Sequence, residues 1–149
     1  MIALVIIAIF ILLEFSNVLS LYFNPGSTRG NAVGVFSAWE KTKQDPEIHN
    51  FVKYLVYWVA GTKLIFISLL VVIFAFADPF TQSITFIAMI ISTATFYWRM
   101  FPLIRTMDTD SQLTQSGYSR TLGGMIAFII ILFVLGYLFA SGLLMLPVI

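Results

Sequence analysis

Two ionisable residues stand inside runs that are otherwise apolar. Glu14 sits in FILLEFSNVLSLYF, residues 10–23, and Lys63 sits in VAGTKLIF, residues 59–66. A carboxylate and an ammonium can hold a proton, attract a counter-ion or pair with each other. Either charge alone costs about 2.5 to 3.5 kcal/mol at the centre of a bilayer. At about 1.5 Å of rise per helical residue, each falls within roughly 3 Å of the middle of a segment long enough to cross one. Matched depth and opposite sign predict a Glu14–Lys63 ion pair, within a subunit or between subunits. Asn17, three residues after Glu14, shares its helix face and extends a polar stripe toward the bundle. Such a pair has two readings of equal weight. It can fix which helix faces which, since breaking one partner of a buried pair costs about 3 to 5 kcal/mol. It can also make Glu14 a proton or cation site modulated by Lys63, because ionisable residues inside spans often mark transport pathways. A third arrangement, with Lys63 snorkelling and Glu14 protonated, is disfavoured by how central Lys63 is.

Other candidate chemistry is thinner. Thr85, Ala88, Ser92, Thr95 and Arg99 recur at spacings of three and four, one small or hydroxyl-bearing face ending in a cation. Such a stripe is more often a packing seam than a solute path. Gly136, Ala140 and Gly142 offer a small-residue face suited to helix association, for instance in a dimer. Glu47 and His49 read as a solvated interfacial pair, because the further ligands or orienting groups of a site are missing. Asp108 and Asp110 are too few for a calcium loop. There are no cysteines and one histidine, which excludes thiolate catalysis, cysteine-ligated metal and a multi-histidine centre. With no phosphate-cradling glycine loop and no nucleophile elbow, the expectation is a protein that is not an enzyme, with no cofactor and no metal site.

The elements that must position these residues are membrane spans. Sixty per cent of the 149 residues are apolar and ten per cent charged, and the mean hydropathy is +0.98. An ordinary soluble domain is far more evenly balanced. A helix needs about 20 residues to cross a core of about 30 Å. Segments at about 2–23, 51–77, 80–101 and 122–146 qualify, giving an all-α integral membrane protein, a four-transmembrane-helix bundle in one domain over residues 1–149. The first span has no basic residue before Arg29 and no small-residue cleavage site, so it reads as retained rather than as a cleaved signal. Asn24-Pro25-Gly26 stops it. Asp45 before Pro46 and Asp78 before Pro79 are helix caps, each aspartate accepting free amide hydrogens of a new helix turn. The second of these leaves almost no linker, so spans two and three are expected to form a tight antiparallel hairpin with Asp78 at its tip.

Four spans put the loops at 24–50 and 102–121 on one face. Arg29, Lys41, Lys43, Lys53, Arg99, Arg105 and Arg120 fall on or beside it, and only Lys63 does not. The positive-inside rule makes that face cytoplasmic, giving an N-out, C-out protein of the plasma (inner) membrane. Trp39, Trp58 and Trp98 cluster toward the same face as interfacial anchors. Within the first loop, about residues 31–44 read as a short interfacial amphipathic helix anchored by Trp39, lying on lipid or on a partner subunit. The expected partners are the bilayer and either further copies of the chain or another membrane protein; no nucleic acid is expected. Two functions compete: an oligomeric transporter or channel for a proton, ion or small solute using Glu14 and Lys63, and a non-transporting scaffold or accessory subunit in which that pair is structural.

Overall fold

The computed structural model describes residues 2–28 and 32–144. Arg29, the start of the interfacial segment at residue 31 and the end of the fourth expected span at 145–146 lie outside the described residues. The described chain is helical throughout, with no strand, and four of its helical stretches are long and apolar enough to cross a membrane.

Helix α1 covers Ile2–Phe23, as the uninterrupted apolar run requires. A turn of 3-10 helix at Val33–Val35 and a short helix α2, Ser37–Thr42, follow. Helix α3, Pro46–Phe76, begins where the Asp45 carboxylate accepts the amide hydrogens of Glu47 and Ile48 at 3.0 and 3.2 Å. Two residues later α4 begins, covering Pro79–Ala94, with Asp78 accepting from the Thr81 amide at 2.9 Å. Both aspartates are therefore caps. The third span is interrupted at Thr95, where the helix tightens, and resumes as α5, Phe96–Thr109, with Pro102 inside it. The loop expected over 102–121 is thus much shorter. A proline removes one backbone hydrogen bond without ending a helix whose remaining bonds are made. Helix α6, Tyr118–Ala140, is the last helix among the described residues.

The expected tight packing of the second and third spans does not occur. α3 packs along α1 and α4 packs along α6, the two pairs meet chiefly through α1 against α6, and α3 and α4 share no extended contact despite their two-residue link. The reason lies in the apolar surfaces. One core cluster joins α1, α3, α4 and α6 through Ile7, Leu70, Phe86 and Phe133. The second joins α1 to α3 through Val18, Leu21, Val56, Ala60 and Ile67, with Val33 of the first loop packed against it. Lipid is as apolar as leucine, so helices associate where shapes interlock rather than where hydrophobicity is greatest. Gly136 provides such a lock: a Cβ there would lie 2.4 Å from the Phe86 ring. The glycine read as a dimer face is thus occupied within the chain by α4.

The two loops are tied together at one end of the molecule. Phe36 and Leu113 form an isolated antiparallel bridge. The Ser37 amide donates to the Gln112 carbonyl and the Thr114 amide to the Val35 carbonyl, both at 2.9 Å. Asp108, at the end of α5, accepts from the Gly117 and Ser119 amides and the Ser119 hydroxyl, and so caps α6 from a neighbouring helix.

Candidate functional site

Because α3 and α4 diverge, a groove of about 660 Å³ opens between them. That volume is in the range of small-molecule sites, about 300 to 1,000 Å³. α1 and α6 form its back through Phe10, Glu14 and Phe133, α3 contributes Lys63, Phe66 and Leu70, and α4 contributes Thr81, Thr85, Ala88, Ser92 and Thr93.

The two residues that matched in depth meet here. Lys63 Nζ donates to Glu14 Oε2 within one chain. The pair is neither sealed nor open: the side chains of Lys63 and Glu14 are 22% and 13% exposed. α1 and α3 place them by running antiparallel, with Glu14 about 18 Å from the start of α1 and Lys63 about 20 Å from the end of α3. Asn17 does not join them. It is half-buried on α1, away from the groove lining, and its side chain makes no hydrogen bond among the described residues.

The stripe on the third span divides. Thr85, Ala88 and Ser92 line the groove, so this face is not the packing seam; Ser83, Phe86 and Met89 on the same helix are buried instead. Thr95 lies at the helix interruption and donates to the Ser92 carbonyl. Arg99 is exposed, its guanidinium 5.2 Å from the centre of the Trp98 ring. Neither reaches the groove. Sequence spacing missed Thr93, whose neighbour Ser92 already filled the stripe, and the phenylalanines of the groove wall, which look like any other lipid-facing residue.

The aromatic anchors also divide. Trp58 and Trp98 are exposed on the outer surface. Trp39 is buried, its ring centre 4.7 Å from that of His49 and close against Gly26. A ring turned into the protein is not placed to anchor it in an interface; the apolar residues of the first loop pack inward, Trp39 against His49 of α3 and Val33 against the α1–α3 cluster. His49 is likewise not a solvated partner of Glu47. Its Nδ1 lies 2.8 Å from Thr42 Oγ1, which also lies 2.7 Å from the Trp39 carbonyl oxygen.

A second, smaller polar pocket lies at the loop end, lined by Arg105, Asp108, Ser116 and Arg120. No group of three or more histidine and carboxylate side chains that could hold a metal occurs among the described residues. Comparison with protein-family models, with curated proteins and with solved structures finds no match to this chain. The functional reading therefore rests on the groove.

Proposed function

We propose that the protein is a small membrane transporter or channel whose site is the α3–α4 groove, with Glu14 and Lys63 as its charged element. The observation that carries the reading is that the ion pair stands in the wall of an open groove instead of in a closed helix contact. A pair that only glued two helices would gain from complete burial between them, whereas one facing a cavity can exchange its partner for a solute or a proton. The solute is a proton, an ion or a small molecule, and the working unit is an oligomer. The loop-bearing end is cytoplasmic and both termini lie outside, in the plasma membrane. The test is flux in proteoliposomes: Glu14→Gln abolishes it while the purified protein keeps its thermal stability and oligomeric state.

The second reading is a scaffold or accessory subunit that binds a partner through its loop end. The completeness of the Glu14–Lys63 contact within one chain supports it. Here Glu14→Gln and Lys63→Met each destabilise the fold by about 3 to 5 kcal/mol and the double variant recovers, since a double-mutant cycle isolates the interaction from the individual costs. Flux that survives Glu14→Gln in a folded protein removes Glu14 from the transport site, and a wild-type protein that supports no flux overturns the transport reading.

A further inference from the structure

We infer that the groove takes an uncharged amphipathic molecule with one hydrogen-bonding head group, which seats its head among Glu14, Lys63, Ser92 and Thr93 and its apolar body against the phenylalanines toward the Asp78 end. The inference rests on the reading of the groove as a solute site and narrows it to a chemical class.

The polarity of the groove changes along its length. Measured at about 1.5 Å per residue from the helix ends on the Asp78 side, Glu14, Lys63, Ser92 and Thr93 all lie about 18 to 21 Å deep. Between that level and the Asp78 end the lining is chiefly apolar, with Phe66, Ile73 and Phe80 among it. The hydroxyls nearer Asp78 are already satisfied: Thr81 donates to the Asp78 carboxylate and Thr85 to the Thr81 carbonyl. Elsewhere on α3, Thr62 and Ser68 bond back to carbonyls of their own helix. Ser92 and Thr93 are different. Neither side chain makes a hydrogen bond among the described residues, although both line the groove at the depth of the ion pair. Each hydroxyl offers one donor and two acceptor lone pairs, which hydrocarbon cannot use.

Charge selects the head group. Glu14 and Lys63 already neutralise each other, so a ligand with a net charge would add an uncompensated charge at the bilayer centre or leave one partner buried alone. A neutral head such as a hydroxyl, amide or carbonyl adds neither cost and can bond both hydroxyls. The opening lies between two spans, so the apolar body arrives from the lipid.

The experiment uses the full-length protein in nanodiscs and a diazirine-bearing decan-1-ol as photolabel, with labelled positions read by peptide mass spectrometry. Labelling maps to α3 and α4 around Phe66 and Ile84, and decan-1-ol competes about tenfold better than decane, decylammonium or decanoate. Ser92→Ala with Thr93→Val removes the advantage of the alcohol over the alkane without changing thermal stability, and Thr93→Ser retains it. Equal competition by decane, or stronger competition by either charged homologue, overturns the inference. Labelling as described in a protein without flux supports this ligand class and sinks transport; flux with no labelling of the groove does the reverse.

Discussion

Gly136 shows how much one missing side chain does in this fold. Its backbone receives the Phe86 ring, the fully buried side chain through which α4 locks onto α6. Gly136→Ala is expected to destabilise the protein by about 1 to 3 kcal/mol through overpacking. Combining it with Phe86→Leu costs less than the sum, because the shorter side chain vacates the space. Thermal unfolding in detergent of the two single variants and the double variant checks this, and simple additivity would separate the two sites. Glu14 and Lys63 were legible as a pair because a charge in lipid needs a partner, and helix rise converts sequence position into depth. The role of Gly136 was half legible. Small residues mark a packing surface, yet the sequence does not say whether the neighbour belongs to the same chain. Ser92 and Thr93 were not legible as free hydroxyls, since most such groups in helices bond back to their own carbonyls.

At the scale of the element, the caps were the most readable features. Asp78 holds the first turn of α4, and the hydrogen bond from the Thr81 amide keeps its carboxyl below the usual carboxylate range. A lowered folded value stabilises the protein above the ordinary carboxylate range, and that contribution is lost as pH falls through the lowered value. Asp78→Asn keeps an acceptor at the cap without a titrating group. The unfolding temperatures of wild type and Asp78→Asn should therefore differ by a constant amount above that range and change relative to each other below it. Parallel curves at every pH would remove Asp78 from the acid response. The spans themselves were legible because apolar runs of this length have few alternatives. The hairpin was not, because a two-residue link fixes where two helices meet and leaves open whether they stay together along their length. The first loop misled for a related reason: an amphipathic pattern shows that Trp39 needs cover, and the cover came from Gly26 and His49.

For the molecule as a whole, topology can be tested directly because the chain has no native cysteine. A single cysteine at Ala77 is expected to react with a membrane-impermeant maleimide added outside right-side-out vesicles, and one at Gln115 only after permeabilisation. The reverse pattern overturns the proposed orientation, and equal access from one side overturns the four-span arrangement. The groove between α3 and α4 is bounded at one end by the two-residue turn at Asp78 and opens between the two helices as a window. A window facing lipid samples solutes at their concentration in the bilayer, not in water. Potency expressed per litre of buffer should then rise with a compound's partition coefficient and fall as lipid is added, while potency expressed as mole fraction in the membrane stays constant. Two compounds of equal intrinsic fit would thus differ in effective dose by the ratio of their solubilities in oil.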